Sequence, residues 1–272
     1  SETYDLLKRG VGYTNDELHE LFRDWNKGEM RSFLLEITAD VFLQPDPETG
    51  QRLVDMILDK AGAKGTGKWT AQEAMDIAVP VPGIDIAVSM RDMSIYKKQR
   101  VAAFQLYKPK IRAVPADRPK FIALLHDALA CSTLLAYAQG LAMLQKASVE
   151  LKMEIPVQDV ARIWQGGCII RSAYLELFTS IFKKDPGLEN ILLHKKVAIL
   201  VRKKQSALRK VIQRAAAMGI PVGGFMNALT WLDASCAEKL PTNLIQAQRD
   251  YFGAHGYQRI DKEGNFHTEW KD

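Results

Sequence analysis

Apolar residues recur along most of the chain at intervals of three or four, the spacing that lines one face of an α-helix. Prolines and glycines divide this pattern into segments. An alternating pattern typical of β-structure is found only in the tail, where residues 257–260 and 265–268 could form a small hairpin or an extended arm. The sequence therefore predicts an all-α fold, with a first helix capped by Asp16, one that begins near residue 71 and one that carries Arg91. Further helices are predicted over residues 32–42, 53–60, 121–144, 157–163, 169–182, 191–218, 224–238 and 243–251.

The segment 121–144 is long and apolar enough to raise the question of a membrane span. It contains polar side chains that would be costly in lipid, among them His126, Asp127 and Gln139. We therefore expect a long central helix that is buried by protein, and no membrane partner.

One sequence motif occurs twice. Residues 25–28 (Trp-Asn-Lys-Gly) precede residues 31–37 (Arg-Ser-Phe-Leu-Leu-Glu-Ile), and residues 164–167 (Trp-Gln-Gly-Gly) precede residues 171–177 (Arg-Ser-Ala-Tyr-Leu-Glu-Leu). Internal similarity of this kind indicates two related helical units that share one core. Chance similarity between two helices is the alternative.

The composition is that of an ordinary globular protein, with 47% hydrophobic and 25% charged residues, which excludes disorder. The formal charge of +5 suits anionic ligands without identifying one. A nucleic-acid partner would need a dense basic stripe, and none is predicted. The nearest candidates recur among apolar positions and are interpreted as the solvent face of an amphipathic helix: Lys195, Lys196, Arg202, Lys203, Lys204, Arg209, Lys210 and Arg214.

The three cysteines, Cys131, Cys168 and Cys236, lie in apolar runs and share no Cys-x-x-Cys spacing. Buried, reduced thiols are the default for this pattern, which favours a cytoplasmic location. The five histidines are scattered, so the pattern gives little support for a metal site.

The most informative short segment is residues 62–70, Gly-Ala-Lys-Gly-Thr-Gly-Lys-Trp-Thr. Its glycines let the backbone approach a ligand closely, and free N–H groups just ahead of a helix favour anions. Lys64 and Lys68 add positive charge and Thr66 adds a hydroxyl donor, so the segment predicts a sugar-phosphate site. A purely structural glycine-rich turn is the alternative.

The same segment matches the Walker A pattern from Gly62 to Lys68. That motif requires Ser or Thr at the next position to hold magnesium, and Trp69 stands there instead. The preceding segment is also predicted to be helical rather than a strand. Nucleotide binding at a P-loop is therefore excluded.

Arg91 lies in a mostly apolar helix, where an arginine needs a partner because burial of an unpaired charge is costly. An ion pair with Asp85 or Asp92 is one interpretation. The other is a phosphate or carboxylate of a ligand, held by the two-pronged guanidinium.

The tail contains a second pair of candidate ligand contacts, Arg249 and His255. They are separated by Gly253, whose break in the helix could bring both side chains toward one ligand. A surface arginine and a histidine with a structural partner are the alternative.

Together these segments resemble the decarboxylating 6-phosphogluconate dehydrogenases. The likeness follows the family's order, extends over essentially the whole chain and includes the spacing from Lys64 to Arg91. It is carried by residues 25–27, 32–38, 64–70, 164–172 and 243–255. The resemblance implies the family's all-helical C-terminal domain, built from two related units.

The resemblance implies that the whole enzyme oxidises 6-phosphogluconate with NADP and decarboxylates the product to ribulose 5-phosphate, without a metal, in the pentose phosphate pathway. Carried over by motif, Lys64, Thr66 and Arg91 contact the substrate, mainly at its phosphate end. Arg249 and His255 reach the active site of the other subunit of a homodimer, and proton transfer is only a secondary possibility for His255.

The implied organisation is one duplicated multi-helix domain followed by an extended C-terminal arm. We expect the helical domain to cover residues 1–240, as two units of about 1–115 and 116–240. The arm covers residues 241–272 and is expected to insert into the partner subunit.

The family's Rossmann domain carries a Gly-x-Gly-x-x-Gly motif after its first strand, and this sequence does not contain that motif. The resemblance also places the catalytic lysine and glutamate ahead of Ser1. We therefore expect a substrate-binding and dimerisation domain that lacks the NADP-binding domain, the base and the acid, and is inactive alone.

Two other functions stay open. A non-catalytic sugar-phosphate-binding or dimer-forming module would retain the same five residues. A related β-hydroxyacid dehydrogenase fits less well, because those relatives lack the duplicated helical domain and the long tail motif.

Overall fold

The computed structural model describes residues 1–112 and 117–270, and this part of the chain is all-α, as predicted. Its β-structure is limited to isolated bridges. The chain divides into two compact units, Ser1–Trp231 and Leu232–Asp272. The helices are α1 (Glu2–Asp5), which continues as a π-helix (Leu6–Val11), α2 (Asn15–Trp25), α3 (Phe33–Leu43), α4 (Leu53–Met56), α5 (Thr66–Asp76), α6 (Pro82–Ile95), α7 (Lys97–Tyr107), α8 (Arg118–Glu150), α9 (Val157–Ile163), α10 (Tyr174–Lys184), a 3₁₀ turn (Ile191–Leu193), α11 (Lys195–Met218), α12 (Gly223–Ser235) and α13 (Thr242–Gly253).

Helix α8 forms the centre of the first unit and packs mainly against α11. By length and composition alone it could cross a membrane, but 44% of its most apolar window is buried inside the fold. The polar Gln139 on this helix is also buried, and its side-chain oxygen accepts a hydrogen bond from the Gly83 amide at 2.8 Å. The prediction of a long, central, buried helix is confirmed.

The two copies of the repeated motif pair with each other in the first unit. Ser32 and Ser172 form an antiparallel bridge. The Phe33 amide donates to the Arg171 carbonyl at 3.0 Å, and the Ala173 amide donates to the Arg31 carbonyl at 2.8 Å. The turns ahead of α3 and α10 therefore contact each other reciprocally.

Two ion pairs on the surface also connect the two copies, one in each direction. Arg31 from the first copy pairs with Glu176 from the second at 3.5 Å, and Arg171 pairs with Glu36 at 2.9 Å. The two residue pairs occupy equivalent positions in the motif, which is the arrangement expected of two units related by a local twofold axis. The expected boundary between those units, at residues 115 and 116, lies outside the described residues.

The start of α2 differs from the prediction, because Thr14 rather than Asp16 caps it. The Thr14 hydroxyl accepts from the Glu17 amide at 3.2 Å, and the Glu17 carboxylate accepts from the Thr14 amide at 2.7 Å. This reciprocal capping box satisfies two amides that a helix start leaves free. Asp16 lies in the first turn, where its charge still favours the helix dipole.

The chain ahead of the glycine-rich loop, residues 62–70, is less helical than predicted, since α4 ends at Met56. Ile57 and Leu58 are both 61% exposed, so no apolar face stabilises a longer helix there. The following helix begins earlier than predicted, at Thr66 instead of near residue 71. The second half of the glycine-rich segment is therefore the first turn of α5.

The second unit contains α13 and the tail that follows it. The predicted hairpin is reduced to a single bridge, in which Tyr257 and Phe266 exchange two backbone hydrogen bonds of 2.8 Å. The Tyr257 hydroxyl also bonds the Thr268 hydroxyl.

Candidate functional site

A single hydroxyl joins the glycine-rich segment to the helix that carries Arg91. The Ala61 amide donates to the Ser94 Oγ at 2.9 Å, and this hydroxyl donates to the Arg91 carbonyl at 2.6 Å. Ser94 thereby fixes the residue just before the glycine-rich segment against the last turn of α6. Two segments predicted to contact one ligand are neighbours in the fold.

Ion pairs anchor the chain just ahead of this loop. The Asp59 carboxylate bonds Lys97 at 2.6 Å and Arg100 at 3.0 Å, and Arg100 also donates to the Ser94 carbonyl at 3.0 Å. The hydrogen bonds from Lys97 and Arg100 lower the pKa of Asp59. The loop is thus tied to the junction of α6 and α7.

Glycines shape the start of α5. Gly65 precedes the helix with φ +96°, a left-handed conformation that favours glycine, and it packs against the Trp69 ring. A Cβ on Gly67 would lie 3.1 Å from Val88 on α6, so this glycine lets the two helices approach. The first amides of α5 have no partners within the helix and are available to an anion.

The predicted phosphate contacts of the first unit, Lys64, Thr66 and Arg91, are all exposed. Neither cation forms an ion pair within residues 1–112 and 117–270, so the pairing of Arg91 with Asp85 or Asp92 is not observed there. Arg91 needs no protein partner because it faces solvent. Asp85 turns inward instead: its Oδ1 is buried without a partner among the described residues, and desolvation raises its pKa.

The second unit presents Arg249 and His255 at its surface. Arg249 bonds the side-chain oxygen of Gln246 at 3.3 Å, and the amide group of Gln246 donates to the Gly256 carbonyl at 2.6 Å. Helix α13 ends at Gly253, as the predicted break requires. A Cβ at that glycine would lie 2.9 Å from the His255 ring, so the missing side chain makes room for the imidazole.

Asp250 was not predicted from the sequence. It is fully buried, and backbone and side-chain groups of the tail donate hydrogen bonds to its carboxylate. Its Oδ1 accepts from the Gly256 amide at 2.9 Å and from the His267 ring at 2.8 Å. Its Oδ2 accepts from the Thr268 amide at 3.1 Å and from the Trp270 indole at 2.8 Å. No local pattern revealed this, because the donors lie 6 to 20 residues further along the chain.

The charged form of Asp250 is strongly favoured over the protonated form. Burial by itself would raise its pKa, but the hydrogen bonds from His267, Trp270, Thr268 and Gly256 hold the pKa of this carboxyl far below its usual range. The same bond to Asp250 raises the pKa of His267.

The five predicted ligand residues therefore form two sets. Lys64, Thr66 and Arg91 lie on adjacent elements of the first unit, and Arg249 and His255 lie at the end of α13 in the second. Each set contains an exposed guanidinium, which is chemistry suited to an anionic sugar derivative.

A second group of charges was also missed, because Lys204 was predicted to face solvent with the other basic residues of α11. It is only 4% exposed, and its ammonium is bound by Glu29 and, at 2.8 Å, by Asp127. That prediction is wrong for Lys204 because it shares the buried face of α11 with Val201 and Leu208, three and four residues away. Burial by itself would lower the pKa of Lys204, but the two carboxylates raise it.

His126 joins this cluster through Asp127, with Nδ1 and Oδ1 at 3.3 Å. The ligand atoms of Glu29, His126 and Asp127 lie within 4.8 Å of one another, a spacing that could hold a metal ion. The Lys204 ammonium already supplies a positive charge between the two carboxylates. An open cavity of about 580 Å³ borders the cluster and is lined in part by Trp25 and Arg118.

All three cysteines are free thiols. Cys131 is buried, and desolvation raises its pKa to about 12. The expectation of burial is wrong for Cys236, which is exposed just after the last turn of α12.

Comparison with known proteins identifies the same family and the same fold over almost the whole chain. The family model for the 6-phosphogluconate dehydrogenase C-terminal domain matches residues 1–270. The NADP(+)-dependent, decarboxylating 6-phosphogluconate dehydrogenase of Bacillus subtilis is 48% identical over 271 residues, which are 99% of this chain and 58% of that protein. The decarboxylating enzyme of Escherichia coli is 44% identical over 100% of this chain and 58% of its own length.

The fold is similar to that of a solved structure, the 6-phosphogluconate dehydrogenase of Plasmodium falciparum, which was studied in its apo form and in complex with NADP+ and with 6-phosphogluconate. The TM-score is 0.96 at 39% identity, over 99% of this chain and 58% of that one. This chain thus spans somewhat more than half the length of the relatives it matches. It belongs to the 6-phosphogluconate dehydrogenase family, and the match is to that family's C-terminal domain.

Proposed function

We propose that this chain is the substrate-binding and dimerisation domain of an NADP-dependent enzyme that converts 6-phosphogluconate to ribulose 5-phosphate by oxidative decarboxylation. The proposal rests on the family membership and on the two sets of exposed cationic and polar side chains. It assigns the chain to substrate recognition and leaves the chemical steps to the whole enzyme.

The observation that carries the proposal is the Ser94 link between the glycine-rich loop and Arg91. Through it, the backbone amide of Ala61, the residue just before the glycine-rich segment, and the carbonyl of Arg91 share one hydroxyl. Lys64 and Arg91 have no ion-pair partner in the described part of the chain, so their charges are available to a ligand. A phosphate matches them in charge and can also accept bonds from Thr66 and the first amides of α5.

The tail residues are assigned to the sugar-acid end of the same substrate. Arg249 and His255 are exposed, and both offer hydrogen-bond donors that suit hydroxyls and a carboxylate. We propose that they act in the partner subunit of a homodimer, through an arm formed by residues 241–272 that follows a helical domain of residues 1–240.

NADP is proposed as the cofactor of the whole enzyme because the Bacillus subtilis relative is NADP(+)-dependent and the Plasmodium falciparum enzyme was studied in complex with NADP+. No residue of this chain is assigned to it, and no metal is part of the proposal. A cytoplasmic location is proposed because all three cysteines are free.

Calorimetric titration of the chain with 6-phosphogluconate tests the substrate assignment. Arg91→Ala removes one charge-assisted contact and should weaken binding roughly tenfold to a hundredfold. Arg23→Ala is the matched control, since Arg23 is exposed and pairs with Glu20 on its own helix. Equal affinities of the Arg91 and Arg23 variants would contradict the assignment.

The same chain should produce no NADPH from 6-phosphogluconate and NADP, since the residues assigned here bind substrate only. Clear turnover would contradict the division of roles. Tight binding of 6-phosphogluconate without any gain on addition of the remaining part of the enzyme would favour the alternative of a non-catalytic sugar-phosphate-binding module.

A further inference from the structure

The turn that carries His255 is held from both sides by side chains of α13. The Asp250 carboxylate accepts from the Gly256 amide at 2.9 Å, and the Gln246 amide group donates to the Gly256 carbonyl at 2.6 Å. Both polar groups of Gly256 are therefore bound to one helix. Gly256 is buried although His255 next to it is exposed.

This turn adopts backbone conformations that need such support. Ala254 has φ +49° and Gly256 has φ +71°, so two left-handed residues flank His255. A left-handed conformation is unfavourable for a residue with a side chain and persists only when its surroundings hold it. Without the two side chains of α13, the turn would relax into other conformations.

The environment of His255 shows the result. Its ring lies edge-on to Phe252 with the centroids 6.0 Å apart, in space left by the absent side chain of Gly253. The same Gln246 that holds Gly256 also bonds Arg249. One helical turn therefore orients both tail residues assigned to the substrate.

We infer that Asp250, assisted by Gln246, is a positioning residue of the substrate site: it touches no substrate, and it fixes the turn that presents His255. This inference rests on the proposed function for the identity of the ligand. The placement of His255 by Asp250 can be tested without that ligand.

The test is a double-mutant cycle on the full chain with two readouts, the NMR signals of His255 and Gly256 and the affinity for 6-phosphogluconate. Asp250→Asn keeps the shape of the side chain but turns an NH₂ group toward two of the four donors. We expect the Gly256 amide to exchange about tenfold faster or more, and the His255 ring signal to move toward that of a free histidine.

Affinity should follow the same logic. Asp250→Asn and His255→Ala should each weaken 6-phosphogluconate binding about tenfold, and the double variant should be no weaker than His255→Ala, because one residue acts through the other. Additive losses would overturn the inference. Unchanged Gly256 exchange in Asp250→Ala, which removes both carboxylate oxygens, would overturn it as well.

Two controls separate positioning from general support of the tail. Asp261→Asn makes the same change at a carboxylate that pairs with Arg259, and should leave both readouts unchanged. Trp270→Phe removes the indole donor to Asp250 without touching Gly256 and should also leave His255 in place. A Trp270→Phe variant that reproduces the Asp250→Asn signals would overturn the inference in favour of a purely structural role.

A wild-type chain that binds no 6-phosphogluconate would count against the substrate assignment alone. The NMR arm would then still decide whether Asp250 holds His255.

Discussion

Ser32 and Ser172 face each other in an antiparallel bridge, but their hydroxyls have different structural roles. The Ser32 Oγ caps α3 by accepting from the Leu35 amide at 3.3 Å, whereas α10 has no side-chain cap within residues 1–112 and 117–270. The repeat is therefore symmetric in its backbone pairing and asymmetric in its helix caps.

This asymmetry predicts unequal effects of the same substitution. Ser32→Ala should lower the free energy of unfolding by about 1 kcal/mol, the usual loss of a serine cap. Ser172→Ala should change it by less than about 0.5 kcal/mol, since the buried hydroxyl has no hydrogen-bond partner among the described residues. Urea denaturation measures both, and equal losses would contradict this account of the repeat.

The buried ion cluster predicts a large loss at Lys204. Lys204→Met leaves Glu29 and Asp127 close together without their cation, and should destabilise the fold by about 2–4 kcal/mol, somewhat reduced because the carboxylates are partly exposed. Lys203→Met is the matched control: its side chain is exposed on the same helix, so the change should stay within about 0.5 kcal/mol. Similar denaturation midpoints for the two variants would show that the cluster is not important for stability.

The glycine-rich loop predicts a contrast between two glycines. Gly65→Ala places a side chain at φ +96°, and should both destabilise the start of α5 by about 1 kcal/mol and weaken 6-phosphogluconate binding. Gly62→Ala has open space around it and should leave binding unchanged. Calorimetry on both variants is the measurement, and equal affinities would separate the loop conformation from ligand binding.

We predict that the hydrogen bonds that hold the tail are most stable within a limited pH range. The pKa of Asp250 is lowered by folding, so its contribution is present above about pH 4, the unfolded value, and is lost as the pH falls through the lower folded pKa. The pKa of His267 is raised, so its contribution is complete below about pH 6.5 and is lost as the pH rises through the folded pKa.

Hydrogen-exchange protection of the Thr268 amide, corrected for intrinsic rates, should therefore be greatest between about pH 4 and 6.5. In His267→Gln the decline on the alkaline side should disappear, while the decline on the acid side remains. An unchanged alkaline decline would assign it to another group.

Most helices could be predicted from the sequence because two signals agree over long stretches. Apolar residues recur at helical spacing, and prolines and glycines separate these segments. Helix α9 matches its predicted bounds, and α8 is found where the densest apolar run lies. Ends were harder, because α4 stops at Met56 where no apolar face packs, and α5 starts at Thr66 through a left-handed Gly65. Caps and exposure depend on neighbours that a local pattern does not contain.

The site was predicted unevenly for the same reason. Lys64, Thr66 and Arg91 were found through glycine spacing and the family resemblance, and the predicted contact of all five site residues with substrate stays a prediction. Asp250 and Lys204 were missed because their partners are far away in sequence: Trp270 lies 20 residues from Asp250, and Glu29 lies 175 residues from Lys204. A buried charge can be recognised only when its partners are known.

The central claim is that this domain recognises the phosphate end of a sugar acid. The most direct measurement is a pair of calorimetric titrations of the wild-type chain, one with 6-phosphogluconate and one with gluconate, which lacks the phosphate. The account predicts that 6-phosphogluconate binds at least about tenfold more tightly, the value of one charge-assisted contact. Equal affinities for the two, or binding of gluconate alone, would contradict it.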